Sequence, residues 1–207
     1  MSCVDIRGCR IGEGRPKVIL PIVERAEAAI LEKAAQFSTL QADCVEWRVD
    51  YFEGARAPGA VARCLAKMRV ILRDKLLLVT IRTKAEGGQV ALSPAEYRQF
   101  LELVLDTDCA DLLDIEFFTA GADLPKLAVM PRCRTDVLEL LAATAEMADL
   151  HPETPVITMS MGTLGAVSRL AGEAFGSAMT FANPGQASAP GQVSLNIVNE
   201  VLDALHL

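Results

Sequence analysis

The sequence predicts an α/β protein of parallel strands and helices, close to the eight-repeat (β/α)8 barrel of the TIM type. Three observations lead to this prediction. Seven strand-like apolar runs alternate with six helix-length segments, and this alternation is typical of a parallel sheet covered by helices. No Gly-x-Gly-x-x-Gly turn follows the first long run, which disfavours a doubly wound sheet. One connection is too short to contain a helix, so we expect a single domain over residues 1–207 that lacks about one β/α repeat.

The first half of the chain contains a short hairpin and three β/α repeats. Residues 4–11 have the length of a hairpin that would plug the N-terminal end of the barrel. The apolar runs suit strands that are buried on both faces. Pro58 stands near the opening of the second helix, and Ser93-Pro-Ala-Glu96 combines an N-cap serine with proline and glutamate at the positions that start helices. Strands are predicted at residues 17–23, 44–49 and 76–82, and helices at residues 24–38, 59–72 and from Ser93 onward.

The second half of the chain contains the connection that breaks the alternation. A strand at residues 111–117 and another at 126–130 are joined only by residues 118–125. A parallel crossover needs about a dozen or more residues, usually a helix. These two strands therefore cannot be ordinary parallel neighbours, and we predict that a β/α repeat is missing between them. The remaining elements are predicted as strands at residues 156–161 and 178–181 and helices at residues 135–147, 164–175 and 194–205.

Composition and charge restrict the function and the location of the protein. The chain is 51% hydrophobic and 23% charged, which is typical of one well-cored domain. The longest apolar runs are far shorter than the roughly 20 residues of a membrane helix, and no basic stretch with an apolar core starts the chain. We expect a cytoplasmic protein with no membrane partner. A net charge of −7 disfavours nucleic acid, so local arginines must hold any anionic ligand. The six cysteines lack Cys-x-x-Cys spacing, and neither a disulfide framework nor a zinc site is expected.

Charged residues interrupt the predicted strands near their C-terminal ends, where barrel enzymes carry out their chemistry. Glu46, Arg48 and Asp50 share one face of a strand by the two-residue period. Three charges on a buried strand are costly without partners. They indicate either a substrate site or a salt-bridged layer inside the barrel.

Two further strands end in the same way. Arg82 precedes the loop 83–88, whose paired glycines would let it fold close over a ligand. Asp114 and Glu116 form a same-face pair on the fourth strand. This pair has either a catalytic role or the role of an internal partner for Arg48 or Arg82.

Lys126 is the candidate nucleophile. It precedes Leu-Ala-Val-Met-Pro with no polar residue nearby in the sequence, and a lysine inside a barrel strand would be desolvated and have a lowered pKa. A neutral amine is what Schiff-base formation with a ketone requires. The alternative is that Lys126 lies at the outer end of the strand and that its side chain reaches the solvent.

Six motifs, read together, resemble the type I 3-dehydroquinate dehydratases over residues 4–205. These motifs are long, occur in a fixed order along the chain and are specific when taken together. They are Glu46-Trp-Arg-Val-Asp50, Arg82-Thr-Lys-Ala-Glu-Gly-Gly88, Pro125-Lys-Leu-Ala-Val-Met-Pro131, Thr158-Met-Ser-Met-Gly-Thr-Leu-Gly165, Ser168-Arg-Leu-Ala-Gly-Glu-Ala-Phe-Gly-Ser177 and Ala187-Ser-Ala-Pro-Gly-Gln192. The resemblance implies a homodimeric barrel that uses no metal, nucleotide or other cofactor. It also implies a lyase of the shikimate pathway of aromatic amino acid biosynthesis, which converts 3-dehydroquinate to 3-dehydroshikimate through an imine on a lysine.

The resemblance also implies a role for each matching residue. Lys126 matches the imine-forming lysine, and Arg169 matches the principal clamp for the substrate carboxylate, which suits a planar guanidinium fork. Glu86 matches the acid that hydrogen-bonds the catalytic histidine. The residues implied to bind the ring hydroxyls and ketone are Glu46, Arg48 and Arg82; those implied to close over the substrate are Ser188 and Gln192; those implied to form apolar walls are Met159 and Phe181.

The catalytic histidine of the family has no counterpart in this chain. In the family it lies in a Ser-Asn-His-Asp-Phe-like motif on the fifth strand, and that motif is absent. The two histidines present, His151 and His206, are expected on the surface. Three functions therefore stay open: a dehydratase of impaired activity in which water, Glu86 or Glu116 takes the proton, a non-catalytic binder of a cyclic hydroxy-keto carboxylate, and an inactive product that folds poorly.

Overall fold

The computed structural model describes residues 3–116, 126–185, 187 and 189–206. The chain divides into two compact units. The continuous unit comprises residues 21–123, and the discontinuous unit comprises residues 1–20 and 124–207. The single domain expected over residues 1–207 stays a prediction.

Strands and helices alternate along the described residues. The strands are β1 (Val4–Ile6), β2 (Cys9–Ile11), β3 (Lys17–Ile22), β4 (Cys44–Arg48), β5 (Leu76–Thr80), β6 (Leu112–Leu113), β7 (Lys126–Val129), β8 (Ile157–Ser160), β9 (Met179–Asn183) and β10 (Val193–Ser194). The α-helices are α1 (Glu27–Ser38), α2 (Pro58–Leu72), α3 (Pro94–Asp106), α4 (Arg134–Leu150), α5 (Gly162–Leu170) and α6 (Leu195–Leu205). Single 3-10 turns occur at Val49–Tyr51, Lys84–Glu86 and Gly172–Phe175.

Three parallel strands form the sheet of the continuous unit. β4 pairs with β5, so that Glu46 lies opposite Leu78 and Arg48 opposite Thr80. β5 pairs in turn with β6. The core side chains of this unit lie on strands that are buried on both faces or on the inner sides of α1 and α2. The fully buried ones include Ile30, Ala34, Val45, Trp47, Leu65, Met68, Leu76 and Leu77.

The strands of the discontinuous unit are also parallel, apart from the predicted hairpin. β1 and β2 pair antiparallel, with Val4 opposite Ile11, which confirms the hairpin itself. The first residues of β3 pair with β9, and β9 continues into a short pairing with β10. β7 pairs with β8 along its whole length. The helix residues buried in this unit include Val137, Leu140, Leu141, Leu195, Val198 and Leu202.

Several predicted boundaries of strands and helices are wrong by a few residues. The fourth long strand was predicted at residues 111–117, but β6 has two residues, with Asp111 and Asp114 still joined to β5 by single backbone hydrogen bonds. The helix predicted at residues 164–175 ends at Leu170 and gives way to the turn Gly172–Phe175. Gly176 closes that turn at φ +86°, a conformation that glycine adopts without strain.

The cysteine side chains range from buried to exposed. All six cysteines lie in the described residues, and none forms a disulfide. Burial raises the pKa of Cys64 to about 12, so its thiol stays protonated and unreactive. No helix in the described part of the chain has both the length and the apolar character to cross a membrane.

The start of α3 gives the first testable prediction. The Ser93 hydroxyl accepts a hydrogen bond from the Glu96 amide at 3.3 Å, and the Glu96 carboxylate accepts one from the Ser93 amide at 2.8 Å. Replacing an N-cap serine with alanine typically costs about 1 kcal/mol. Ser93→Ala should therefore lower the free energy of unfolding by about 1 kcal/mol, measured by urea denaturation.

Ser194 is the matched control for this prediction. It precedes α6 in the N-cap position, but its side chain makes no cap hydrogen bond. Ser194→Ala should cost clearly less than Ser93→Ala. Equal losses in the two variants would show that the hydrogen bonds of the capping box add nothing.

Candidate active site

Arg82 is the centre of a charged cluster in the continuous unit. It follows β5, and its Nη1 donates a hydrogen bond to Glu86 Oε2 at 2.8 Å. Its Nη2 donates to Asp114, and Glu116 Oε1 lies 3.8 Å from Nη1. Burial lowers the pKa of Arg82, but the three carboxylates outweigh burial and raise it above its ordinary value. The guanidinium is thus permanently charged and held by protein acids.

Glu116 has an internal structural role. Its two carboxylate oxygens accept hydrogen bonds from the amide and the hydroxyl of Thr83, at 2.6 and 2.8 Å. Its own amide donates to the hydroxyl oxygen of Tyr97, and burial raises the pKa of Tyr97 to about 12. Of the two roles open for Asp114 and Glu116, the structure therefore shows that of internal partners for Arg82 and its loop.

Arg48 and Asp50 form a bidentate ion pair. Nε and Nη2 of Arg48 donate to the two oxygens of Asp50 at 2.8 and 2.9 Å. The prediction that Asp50 shares a strand with Arg48 is wrong. β4 ends at Arg48, and Asp50 lies in the turn Val49–Tyr51. The salt-bridged interpretation therefore holds for this pair. Within the described residues, Nη1 of Arg48 makes no hydrogen bond, so one edge of the guanidinium stays available.

Glu46 is buried on β4 and is held by a neutral partner. Its Oε1 accepts a hydrogen bond from the Thr80 hydroxyl at 2.8 Å. Thr80 lies on the adjacent strand opposite Arg48. Parallel pairing therefore brings Glu46 and Thr80 together at the C-terminal ends of their strands, which is where the sequence placed the site.

Glu86 has one anchored and one unpartnered carboxylate oxygen. Oε2 accepts the hydrogen bond from Arg82, whereas Oε1 is buried and has no hydrogen-bond partner among the described residues. A buried polar atom without a partner is unusual and costly.

Two glycines shape the loop that carries Glu86. Gly87 ends the turn Lys84–Glu86 in the left-handed conformation, at φ +83°. A Cβ atom on Gly88 would lie 1.8 Å from the carbonyl oxygen of Arg82, so no other residue fits without moving the backbone. The paired glycines predicted to fold a loop closely therefore hold that loop against Arg82.

Arg169 is the buried guanidinium of the discontinuous unit. It lies in the last turn of α5 with 2% of its surface exposed. Its Nη1 contacts the sulfur of Met159 at 3.6 Å, and its Nε is buried without a partner. No carboxylate pairs with it in the described part of the chain, and burial lowers its pKa. A buried cation without a counter-charge is expensive.

The predicted apolar walls and the predicted loop residue lie in the same unit as Arg169. Met159 on β8 and Phe181 on β9 are both buried. Gln192 follows a loop in which Gly191 adopts φ +78°, and a Cβ there would lie 2.3 Å from the Gly162 carbonyl oxygen. The Gly162 amide donates to the Pro190 carbonyl at 3.1 Å. These contacts fix the loop before Gln192 against the start of α5.

Two predicted site residues are described only in part or not at all. Lys126 is the first residue of β7 and pairs with Ile157 of β8, but its side chain lies outside what the structure describes. Ser188 lies outside the described residues altogether. The roles predicted for the Lys126 amine and the Ser188 hydroxyl stay predictions.

The two histidines lie on the surface, as predicted. His151 directly follows α4, with Nδ1 3.6 Å from the carboxylate of Glu153. His206 follows α6, with Nδ1 2.6 Å from the carboxylate of Glu173. Both are exposed.

Thr83 and Tyr97 were not predicted to support the site. Thr83 binds both oxygens of Glu116, and Tyr97 accepts from its amide. The burial of Tyr97 could have been predicted from the pattern of α3, but its partner is 19 residues away in the sequence. The described residues contain no group of three or more histidine, cysteine, aspartate or glutamate side chains placed to hold a metal ion.

Comparison with known proteins gives a consistent result. The sequence model of the family described as type I 3-dehydroquinase matches residues 18–121 and 118–207. The chain is 40% identical to 3-dehydroquinate dehydratase from Bacillus licheniformis, over 98% of this chain and 97% of the relative. It is 38% identical to the enzyme of the same name from Bacillus subtilis, over 100% of this chain and 98% of the relative.

Solved structures with the same fold come from the same kind of enzyme. Type I 3-dehydroquinate dehydratase from Clostridium difficile, solved with covalently modified comenic acid, matches with a TM-score of 0.93 and 35% identity, over 99% of this chain and 98% of that one. The 3-dehydroquinate dehydratase from Geobacillus kaustophilus matches with a TM-score of 0.93 and 33% identity, over 99% and 96% of the two chains.

The alignments also bear on the length of the chain. The alignment to the Bacillus licheniformis enzyme spans 247 positions, whereas this chain has 207 residues. At least 40 of those positions therefore face a gap in this chain. The two matches of the family model meet at residues 118–121, which lie in the connection predicted to be too short.

These comparisons confirm the predicted resemblance, the barrel fold class of the TIM type and the assignment to a class of lyases. With identities of 37–40% to several relatives over nearly their whole length, and with a family match that extends from residue 18 to residue 207, the chain belongs to the type I 3-dehydroquinase family.

Proposed function

We propose that this protein dehydrates 3-dehydroquinate to 3-dehydroshikimate, a step of the shikimate pathway, through an imine on Lys126. The single observation that carries the proposal is the buried guanidinium of Arg169, which has no carboxylate partner among the described residues. The proposed substrate has one carboxylate. Its binding would supply the missing counter-charge.

The other arginines near strand ends do not offer the same site. Arg48 is held by Asp50, and Arg82 is held by Glu86 and Asp114. A guanidinium that is already paired gains little from a second anion, whereas an unpaired buried guanidinium gains a charge-assisted, two-pronged hydrogen bond. Arg169 is therefore the group that selects a carboxylate ligand.

The covalent step follows from the chemistry of a lysine and a ketone. The neutral amine of Lys126 attacks the ketone carbon, and loss of water leaves a protonated imine. The positive nitrogen then withdraws electrons and acidifies the proton on the neighbouring carbon. Support for covalent chemistry comes from the Clostridium difficile relative, whose structure was solved with covalently modified comenic acid.

The remaining predicted residues receive their roles in the same proposal. Glu46, Arg48 and Arg82 bind the ring hydroxyls and the ketone oxygen, with the open edge of Arg48 and the second oxygen of Glu46 as the groups that remain for the ligand. Ser188 and Gln192 close over the substrate and exclude water. Met159 and Phe181 give the pocket apolar walls. A cytoplasmic homodimer is the expected working form.

A non-catalytic binder is the second candidate function. The observation that favours it is that both histidines of the chain are exposed on the surface, so the residue that abstracts the proton in the family is missing. Such a protein would still form the imine with a cyclic hydroxy-keto carboxylate. It would release no dehydrated product.

The first test of the proposal uses Lys126→Ala. The unsubstituted protein, incubated with 3-dehydroquinate and borohydride, should gain one ligand mass on Lys126, detected by peptide mass spectrometry. Lys126→Ala should gain none and should lose turnover to 3-dehydroshikimate, measured by product absorbance. Lys67→Ala is the matched control, because Lys67 is exposed and pairs with Glu27 at the surface. An unmodified Lys126 in the unsubstituted protein would falsify the imine.

The second test separates binding from stability at Arg169. Removing an unpaired buried charge is neutral or stabilising, while loss of a charge-assisted ligand contact costs about 2–5 kcal/mol of binding. Arg169→Met should therefore keep or increase the free energy of unfolding, measured by urea denaturation. It should also weaken 3-dehydroquinate binding at least tenfold, measured by calorimetry with Lys126→Ala as the background.

Arg69 provides the matched comparison for this test. Its guanidinium is paired with Asp111 at 2.6 Å and donates to two backbone carbonyls. Arg69→Met would leave the carboxylate of Asp111 buried without its guanidinium, so it should destabilise the protein by about 3 kcal/mol. If Arg169→Met loses as much stability as Arg69→Met, Arg169 has a structural partner and the carboxylate assignment is wrong.

A further inference from the structure

We propose that Met159 is a positioning residue for Arg169: its thioether holds the guanidinium in place without neutralising it, so that the full charge is available to a carboxylate ligand. This inference rests on the proposed function and deepens it, because it concerns how the carboxylate site is kept ready. The resemblance implies for Met159 only an apolar wall. Both residues belong to the discontinuous unit.

Met159 supplies the polar contact that the structure describes for the guanidinium of Arg169. Nη1 of Arg169 donates to Sδ of Met159 at 3.6 Å, and both side chains are buried. A thioether sulfur is a weak hydrogen-bond acceptor and carries no charge. It can therefore orient the guanidinium, but it cannot act as a counter-charge.

Neighbouring residues fix Met159 and Arg169 relative to each other. Ser160 follows Met159 on β8, and its amide donates to the Ser168 hydroxyl at 2.8 Å. Ser168 directly precedes Arg169 in α5. A Cβ atom on Gly165 would lie 2.1 Å from the Ser160 carbonyl oxygen, so the helix and the strand are in direct backbone contact. The Met159 sulfur therefore meets the guanidinium at a fixed position.

The arginines of the continuous unit show what a charged partner does to a guanidinium. Asp50 holds Arg48 with both carboxylate oxygens, and three carboxylates surround Arg82. At both arginines burial lowers the pKa, but the carboxylates outweigh burial and raise the pKa above its ordinary value. At Arg169 burial acts alone, and the pKa is lowered. The sulfur of Met159 therefore leaves the charge of Arg169 uncompensated.

A neutral acceptor also makes the waiting state of the site less costly than an apolar side chain would. A guanidinium has five N–H donors, and a hydrocarbon at position 159 would leave Nη1 of Arg169 without an acceptor. A buried donor without a partner is costly. A guanidinium that is already oriented loses less entropy when the ligand binds. The thioether thus combines orientation with an unreduced attraction for an anion.

The test compares side chains of similar size at position 159. Met159→Leu has no acceptor, Met159→Gln has a neutral oxygen acceptor, and Met159→Glu has a charged one. Binding is measured by calorimetry in the Lys126→Ala background with two ligands, 3-dehydroquinate and its carboxamide, which lacks the negative charge. The ratio of the two affinities reports the contact between guanidinium and carboxylate, and a merely structural role of Met159 would leave this ratio unchanged.

The three variants should differ in a fixed order. Met159→Leu should weaken 3-dehydroquinate binding about threefold to tenfold, the range that one hydrogen bond typically contributes. Met159→Gln should bind 3-dehydroquinate more tightly than Met159→Leu, because it restores a neutral acceptor. Met159→Glu should weaken 3-dehydroquinate binding at least about 30-fold, because its carboxylate occupies the guanidinium. The carboxamide should lose much less affinity for Met159→Glu, since it has no charge to be excluded.

Met179→Leu is the matched control for the loss of a buried sulfur. Met179 is also a buried methionine on a strand of the discontinuous unit, β9, and a change from methionine to leucine is well tolerated in a protein core. Met179→Leu should keep both affinities. Urea denaturation checks that each variant is folded, and if Met159→Glu is not, the comparison of Met159→Leu with Met159→Gln decides the result.

Failure of this inference and failure of the proposed function give different results. An unchanged affinity ratio in folded Met159→Leu and Met159→Glu overturns the role of Met159 and leaves the proposed dehydratase intact. Equal affinity of the Lys126→Ala protein for the two ligands also overturns it, whereas borohydride trapping with Lys126 present still tests the imine. No binding of either ligand, together with no trapped adduct, removes both the proposed function and this inference.

Discussion

Compensation of buried charge is the constraint on which the interpretation of this molecule depends. A charge taken out of water must find a partner or remain costly. Arg48 and Arg82 are paired with acids that follow neighbouring strands, so these arginines are part of the framework. Arg169 is more deeply buried than either of them and has no acid partner among the described residues. This difference between paired and unpaired guanidinium groups is the reason why the proposed function assigns the substrate carboxylate to Arg169.

The same distinction applies to the carboxylates of the continuous unit. Glu116 and Asp50 have every oxygen engaged by donors, and they fix the loop after β5 and the turn after β4. Glu86 has one oxygen engaged and one left open. Gly88 lies against the backbone of Arg82 so tightly that a side chain would not fit, and this close packing sets the position of the open oxygen. Backbone geometry and charge therefore act together to leave Oε1 of Glu86 without a donor among the described residues.

The length of the chain sets it apart from its relatives. The family model matches in two parts that meet at residues 118–121, and the alignment to the Bacillus licheniformis relative spans more positions than the chain has residues. In the family, the catalytic histidine belongs to the repeat predicted to be missing. The proposed dehydration therefore needs water or another group of this chain to take the proton.

The sequence alone determined the class of fold, the order of its elements and most of the candidate residues. Alternation of apolar runs with helical periods is a local property, so it predicted the strands and helices, and the motif Ser93-Pro-Ala-Glu96 predicted the capping box that starts α3. Element ends were less predictable. Asp50 was placed on a strand, but it lies in a turn where it can reach both nitrogens of Arg48.

Only the tertiary structure decided which polar atoms have partners. The pairing of Glu116 with Thr83 and Tyr97 and of Arg82 with Asp114 joins residues far apart in the sequence, and no local pattern encodes it. The open oxygen of Glu86 and the unpaired guanidinium of Arg169 were invisible for the same reason. A sequence shows which groups are charged, but the free energy of each charge depends on the atoms that folding brings around it.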